Sequence, residues 1–158
     1  EIGDFEPNFF NTTFTNYEMV AAENGKTFRF DNRIHRMIKT DKTLLKQLMT
    51  ILFDNALKYT DEDGVIELTI SANDRNLFLK VSDNGPGIST ADKKKIFDRF
   101  YRVDKARTRQ TGGFGLGLSL AKQITEALKG TITVKDNKPK GTIFEVKIAI
   151  RTDNRKKK

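Results

Sequence analysis

A chain of 158 residues with 37% hydrophobic residues and twelve phenylalanines can bury the core of one globular domain. The absence of cysteine excludes disulfides and thiolate metal sites, and no apolar run approaches the roughly 20 residues of a membrane span. The net charge is +8, which fits either a solvated basic surface or a nucleic-acid-binding surface. We favour the solvated surface, because the aromatic residues follow core-like spacing and do not alternate with arginine.

The first part of the chain predicts a helix, two short strands and a long helix. Apolar spacing indicates a helix over 9–23 and strands over 27–31 and 34–39, which a turn would join into a hairpin. Asp41 can cap a second helix that runs to about Tyr59. The predicted buried stripe of this helix is Leu44, Leu45, Leu48, Leu52 and Ala56.

Strands and helices alternate in the second part as well. Period-two patterns predict a hairpin over 65–72 and 77–82, and Ser89 can cap a short helix that ends near Phe100. A helix is predicted over 115–128, ended by Gly130, with the inward residues Leu120, Ile124, Ala127 and Leu128. A closing hairpin over 131–135 and 142–150 follows.

These elements predict an α/β fold, a two-layer α/β sandwich. We expect a mixed, mostly antiparallel sheet of about five strands, with about three helices on one face. Residues 1–150 would form the single domain. Within it, the polar and charged segment 101–114 is expected to be a mobile loop, and the basic tail 151–158 is expected to be disordered.

Two glycine clusters suggest one nucleotide site. Asp83 ends a strand pattern and is followed by Asn84-Gly85-Pro86-Gly87-Ile88, where a carboxylate can accept a hydrogen bond from an exocyclic amine such as that of adenine. Glycines there let the backbone approach a flat ligand. The second cluster, 112–117, opens a helix whose free N–H groups can bind phosphate, although a simple glycine hinge has the same sequence.

Polar residues share one face of the long helix near its end. Asn55, Lys58 and Tyr59 lie at positions i, i+3 and i+4. An ordinary surface asparagine beside an exposed lysine would look the same. The functional interpretation is an amide oxygen for Mg²⁺ and a cation for phosphate, since Mg²⁺ commonly takes few protein oxygens and completes its shell with phosphate and water.

Taken together, these segments resemble the boxes of bacterial sensor histidine kinases. Their order and spacing agree over about residues 9–150. The segments are 47–60, similar to the N box; 83–88, similar to the G1 box; 96–102, similar to the F box; 113–118, similar to the G2 box; and Gly141-Thr142-Ile143-Phe144, similar to the terminal strand motif. The resemblance implies the Bergerat, or GHKL, ATP-binding fold.

The resemblance also implies a role for each matching residue. Asp83 would hold the adenine amine, and Asn55 would coordinate Mg²⁺ and act in catalysis with Lys58 and Arg102. Arg102 would reach the γ-phosphate, and Phe97 and Phe100 would anchor the ATP lid. The full set of implied ATP-binding residues is Asn55, Lys58, Tyr59, Asp83, Gly85, Gly87, Ile88, Tyr101, Arg102, Gly113, Gly115, Leu116, Gly117, Leu118 and Thr142.

One position departs from the family pattern. The family usually carries a second asparagine four residues before the first, and here that residue is Ile51. Related hydrolytic ATPases place a water-activating glutamate at the same position, which isoleucine cannot replace. Ile51 and the F box thus favour phosphoryl transfer to a protein over hydrolysis by an ATPase of the same superfamily. Asp83 and the intact glycine clusters argue against the other alternative, a non-catalytic interaction module that kept the fold.

The resemblance implies partners that this sequence does not contain. The single histidine, His35, lies in a predicted strand rather than in a phosphoacceptor helix. We therefore expect a piece of a longer kinase, whose dimerisation and histidine phosphoacceptor domain is separate and which passes phosphate to a response regulator. The parent is expected to be a homodimeric membrane protein with this domain in the cytoplasm, and the isolated domain is expected to be monomeric.

Overall fold

The computed structural model describes residues 2–99, 101 and 117–152. The strands and helices of this part of the chain are, in order, β1 Ile2–Phe5, α1 Asn11–Glu23, β2 Thr27–Asn32, β3 Ile38–Asp41, α2 Lys42–Tyr59, β4 Val65–Ala72, β5 Asn76–Asp83, α3 Thr90–Lys93, α4 Gly117–Ala127, β6 Gly130–Asp136, β7 Thr142–Ala149 and β8 Arg151–Thr152. Among the described residues, no helix is both long and apolar enough to cross a membrane.

The main sheet has five strands in the order β2-β4-β5-β7-β6. Strand β2 runs parallel to β4, and the other neighbours are antiparallel. Alternate residues of the central strands, such as Leu68, Leu79 and Val146, are buried in one core with the apolar faces of α1, α2 and α4. The predicted two-layer α/β sandwich with a mixed, mostly antiparallel sheet is confirmed.

The predicted hairpin over 27–31 and 34–39 is wrong. Strand β2 joins the main sheet, whereas β3 pairs with β1 in a separate three-stranded sheet of order β1-β3-β8. Asn32 fixes the connection between the two sheets, because its side chain donates to Pro7 O at 2.8 Å and to Asn11 Oδ1 at 3.0 Å. It also accepts from Ile34 N at 3.0 Å, so the chain leaves β2 without turning back.

Helix α2 follows the predicted start and end. The Asp41 side chain caps it by accepting from Leu44 N at 3.0 Å. Its buried face is wider than the predicted stripe because Met49 and Phe53 are also buried, while Leu44 is only partly buried. The hairpin of β4 and β5 and the closing hairpin of β6 and β7 also lie where the sequence predicted them.

The face that helix α4 presents to the core only partly matches the prediction, because Ile124 and Leu128 are buried as predicted but Leu120 and Ala127 are not. Leu120 is 38% exposed and Ala127 is exposed, while Ser119, Ala121 and Thr125 are buried beside Ile124 and Leu128. The burial of a threonine is tolerated because its hydroxyl donates to Ala121 O at 2.7 Å. The buried face of α4 is therefore rotated from the predicted one, with Ser119, Ala121 and Thr125 facing the core in place of Leu120 and Ala127.

Two predicted helix ends also need correction. Ser89 does cap a helix, since its Oγ accepts from Asp92 N at 3.1 Å, but α3 ends at Lys93 rather than near Phe100. Gly130 is the first residue of β6 and not a helix end, and a Cβ there would lie 2.1 Å from Lys147 O. Arg151–Thr152, the first residues of the tail 151–158 that was expected to be disordered, form strand β8 and pair with β3, so the expectation is wrong for them. The predicted start of α4 at 115, residues 102–114 of the loop 101–114 and residues 153–158 of the tail lie outside the described residues.

Candidate functional site

The fold brings together the ends of three elements. The last turns of α2 carry Asn55, Lys58 and Tyr59, strand β5 ends at Asp83, and β7 begins at Thr142. Asp83 and Thr142 are opposite each other in the antiparallel pairing of β5 and β7. The first glycine cluster, which follows β5, therefore lies between the end of the long helix and the start of β7.

Asp83 is a buried carboxylate with one oxygen held by the protein. Its side chain Oδ1 accepts from Gly85 N at 2.9 Å and from Thr142 N at 3.3 Å. The residue is 6% exposed, and burial raises the pKa of its carboxyl, although the two backbone hydrogen bonds partly oppose this. Both hydrogen bonds that the described residues give this carboxylate end on Oδ1, so Oδ2 remains for a ligand.

Glycines allow the chain to close tightly around this carboxylate. A Cβ on Gly85 would lie 2.7 Å from Tyr59 O, so a side chain there would push the loop away from the end of α2. Gly87 adopts a positive φ of 84°. Gly141 has a φ of 114°, and its Cβ would lie 1.9 Å from the Asp83 carbonyl oxygen. Larger residues at these positions would displace the carboxylate.

The structure adds two residues that the site prediction missed. Gly141 was recognised only as part of a motif, and its contact with Asp83 appears only when β5 and β7 are paired. Asn137 donates from Nδ2 to the Asp83 carbonyl oxygen at 2.8 Å. Asparagine in a turn has no sequence signal that distinguishes such a long-range bond from an ordinary local one.

The end of α2 is anchored from outside the helix. Lys26 Nζ donates to the carbonyl oxygen of Leu57, where the helix dipole favours a cation. Asn55, Lys58 and Tyr59 are all partly exposed. Burial raises the pKa of the Asp54 carboxyl, and nearby Lys58 partly offsets the effect. This end of the helix therefore carries an amide and a cation, and its Tyr59 carbonyl oxygen lies against Gly85 of the glycine loop.

The donor set fits Mg²⁺ only with help from a ligand. Among the described residues there is no cluster of three or more acidic or histidine side chains that could hold a metal. Ile51 is partly buried against the core, and a Cβ on Gly117 would lie 3.8 Å from its Cγ2. The position of the missing second asparagine is thus an apolar contact with the start of α4. One amide oxygen, from Asn55, suffices where phosphate oxygens and water complete the shell.

Of the remaining predicted residues, some are described by the structure and the others lie outside its described part. Gly117 and Leu118 are the first described residues of α4. The Tyr101 hydroxyl donates a hydrogen bond to Asp92, which raises the pKa of the tyrosine. Phe97 packs against Phe144 with ring centroids 6.2 Å apart. The residues that lie outside the described part of the chain are Phe100, Arg102, Gly113, Gly115 and Leu116.

A two-layer sandwich with a buried carboxylate and a glycine loop between a helix end and a sheet is the architecture of a nucleotide-binding ATPase domain. Residues 40–152 match the family model described as "Histidine kinase-, DNA gyrase B-, and HSP90-like ATPase". The chain belongs to this family. The resemblance to the catalytic domain of sensor histidine kinases is confirmed.

Curated relatives are longer sensor kinases. The chain is 77% identical over all 158 residues to the sensor protein CiaH of Streptococcus pneumoniae, and covers 36% of that protein. It is 37% identical to the sensor histidine kinase WalK of Bacillus subtilis over 136 residues, which are 85% of this chain and 22% of that protein. The chain therefore spans about a third of the length of its CiaH relative, and less of WalK.

Solved structures agree with this family. The nucleotide-free catalytic domain of the histidine kinase ThkA is 26% identical, with a TM-score of 0.78 and coverage of 94% of this chain and 97% of that one. Full-length ShkA, solved in complex with AMPPNP, is 25% identical, with a TM-score of 0.79 and coverage of 96% and 32%. The catalytic domain of a histidine kinase is thus matched over almost its whole length.

Proposed function

We propose that this domain binds Mg-ATP and transfers the γ-phosphate to a histidine on a separate domain of a two-component sensor kinase. The proposal rests on the Asp83 carboxylate, which is buried and fixed through Oδ1, and to whose Oδ2 no described residue donates a hydrogen bond. An ionised carboxylate at this depth is costly, and a donor from a ligand relieves that cost.

The base is assigned to the glycine loop. The adenine amine donates to Asp83 Oδ2. The glycines act indirectly, because a side chain on Gly85 or Gly87 would meet Tyr59 O or Gly141 O and push the loop beside the carboxylate out of place. Ile88, which packs against the core, and the buried Thr142 would line the base site, as the family resemblance implies. A guanine would present a carbonyl oxygen to Oδ2 instead of an amine, so the pocket selects adenine.

The phosphates are assigned to the end of α2 and the start of α4. Lys58 supplies a positive charge and Tyr59 supports the ribose, while Gly117 and Leu118 offer backbone N–H groups at a helix start. The proposal extends, by resemblance alone, to Tyr101 and to the segment outside the described residues, with Arg102 at the γ-phosphate and Gly113, Gly115 and Leu116 at the other phosphate oxygens.

Asn55 is the residue that would hold Mg²⁺, which when bound neutralises phosphate charge. The chain's own part in the reaction is to position ATP for the acceptor histidine and to keep water from attacking in its place. A nitrogen of the acceptor imidazole attacks the γ-phosphorus, a P–N bond forms, the bond to the β–γ bridging oxygen breaks, and ADP leaves with that oxygen. Ile51 places a methyl group where related hydrolases carry a base, which disfavours attack by water.

The acceptor is assigned to another domain. His35, the single histidine of the chain, is exposed in the connection between β2 and β3 and not on a helix. The ThkA kinase, 25% identical with a TM-score of 0.73, was solved in complex with the response regulator TrrA, which supports a response regulator as the next partner. The family resemblance alone implies the rest of the proposal, a homodimeric parent anchored in the membrane with this domain in the cytoplasm, and a monomeric isolated domain.

Phosphoryl transfer from labelled ATP tests the proposal. The chain is incubated with γ-labelled ATP, Mg²⁺ and the separately produced phosphoacceptor domain of its parent. Acid-labile label on the acceptor histidine is expected. The rate of this transfer should fall in Arg102→Ala, whereas the affinity for ADP should not change. Release of free phosphate without protein label would identify a hydrolase, and binding without either product would identify an interaction module.

A further inference from the structure

The turn between β6 and β7, residues 137–141, reaches the base pocket from the far edge of the sheet. Asn137 Nδ2 donates to the carbonyl oxygen of Asp83 at 2.8 Å, a contact between residues 54 positions apart. Next to this turn, Thr142 N donates to Asp83 Oδ1 at 3.3 Å. The main chain and the side chain of Asp83 are thus both held by one short segment of the chain.

The β6–β7 turn is itself well fixed. Asn137 N donates to Gly141 O at 3.0 Å, and Asn137 Oδ1 accepts from Lys138 N at 2.9 Å, so both ends of the amide are engaged. Immediately before the turn, Asp136 forms an ion pair with Lys93 of α3 at 2.7 Å. The orientation of the Asn137 amide follows from these bonds, because its oxygen is already used by Lys138 N.

Strand pairing alone does not fix the direction of the Asp83 carboxylate. Asp83 is the last residue of β5, where the chain leaves the sheet for the glycine loop. Gly85 N and Thr142 N hold only Oδ1, so Oδ2 can still swing about that oxygen when the Asp83 peptide rotates, unless the carbonyl is also held. The Asn137 bond supplies that restraint, and Gly141 packs so close to the same carbonyl that a Cβ would lie 1.9 Å from it.

We propose that Asn137 is a positioning residue for base recognition, which aims Asp83 Oδ2 at the exocyclic amine of the purine. This inference rests on the proposed adenine site. It assigns selectivity for the base to the β6–β7 turn as well as to the glycine loop. Asn137 touches neither base nor phosphate in this role, and its effect passes through Asp83.

The experiment compares two nucleotides that differ only at the exocyclic amine. Binding of ATP and of purine riboside 5′-triphosphate, which carries hydrogen in place of the amine, is measured by titration calorimetry. The wild-type chain should prefer ATP by about tenfold or more. In Asn137→Asp, an oxygen faces the Asp83 carbonyl, so the preference should fall to less than about threefold while affinity for the amine-free analogue stays within about twofold.

Two further variants complete the test. Lys140→Ala changes an exposed side chain of the same turn and should keep the wild-type preference. If Asn137→Asp fails to fold, Asn137→Ala removes the donor without adding a charge. The ratio of its affinities for ATP and for the amine-free analogue then tests the proposal in the same way. Equal weakening of both nucleotides, or an unchanged preference, overturns the positioning role. A wild-type chain without any preference would instead overturn the adenine assignment on which the inference rests.

Discussion

Replacing Asp83 by asparagine separates base recognition from folding. The amide oxygen of Asp83→Asn can keep both bonds that Oδ1 accepts, from Gly85 N at 2.9 Å and Thr142 N at 3.3 Å. These two donors also fix the orientation of the new amide, because a flipped NH₂ would face two N–H groups. The NH₂ group then lies where Oδ2 was and meets the adenine amine, so two donors oppose each other.

The expected loss of affinity follows from one charged hydrogen bond. Such a bond contributes about 1.5–3 kcal/mol, so the Kd for ATP should rise by about 10- to 150-fold, and the opposed donors add to this. Stability without nucleotide should fall by no more than about 1 kcal/mol, since weaker hydrogen bonds are offset by removal of a buried charge. Calorimetric titration measures the first quantity and urea unfolding the second.

The pH dependence gives an independent check of the same group. Burial raises the pKa of Asp83, so its ionised form destabilises the unliganded fold, and stability falls as pH rises from the ordinary carboxyl pKa through the raised one. ATP binding needs the ionised form and should weaken as pH falls through the raised pKa. In Asp83→Asn, the pH dependence that this carboxyl gives to stability and to ATP binding should disappear. Protonation of the ATP phosphates affects binding to the wild type and to the variant alike.

A surface substitution controls for net charge. Asp31→Asn also removes one negative charge, but from an exposed ion pair with Arg33, and should leave ATP affinity unchanged. Wild-type affinity in Asp83→Asn, with an intact fold, would refute the assignment of the adenine amine to this carboxylate.

Three other perturbations test the fold and the site. Gly141→Ala should lower the free energy of unfolding, measured in urea, by about 1–3 kcal/mol, because its φ is 114° and its Cβ would meet Asp83 O. The control Gly3→Ala should be nearly neutral, because a Cβ there would lie no closer than 3.9 Å to any described atom outside its chain neighbours. Asn55→Ala should abolish the Mg²⁺ dependence of ATP binding while Mg²⁺-free ADP binding persists, and equal dependence in both proteins would remove Asn55 from the metal site. Burial raises the pKa of Tyr17 to about 12, so the neutral phenol contributes its full stability below pH about 10, and this contribution is lost as pH rises through about 12. Tyr17→Phe should lose this alkaline dependence, which unfolding followed by circular dichroism measures.

Local sequence patterns predicted the elements that form the site. The Asp41 cap, the length of α2 and the hairpin that ends at Asp83 all follow from neighbours in sequence. The grouping of Asn55 with Asp83 followed from the family resemblance, because nothing in the spacing of a helix and a later strand fixes their distance.

Long-range pairing was beyond the sequence. Strands β2 and β3 are adjacent in the chain and have a plausible turn between them, yet they belong to different sheets because Asn32 anchors the connection to the start of α1. The face of α4 was misjudged because Thr125 satisfies its hydroxyl inside the helix and can be buried. The roles of Gly141 and Asn137 depend on the register of β5 and β7, which no local pattern specifies.

A crystal structure of the chain with a non-hydrolysable ATP analogue and Mg²⁺ would test the central claim most directly. We predict that the exocyclic nitrogen of adenine lies within about 3.2 Å of Asp83 Oδ2, while Oδ1 keeps its bonds to Gly85 N and Thr142 N. An adenine bound elsewhere, or one whose amine is bonded to another group while Oδ2 contacts only solvent, would contradict the account.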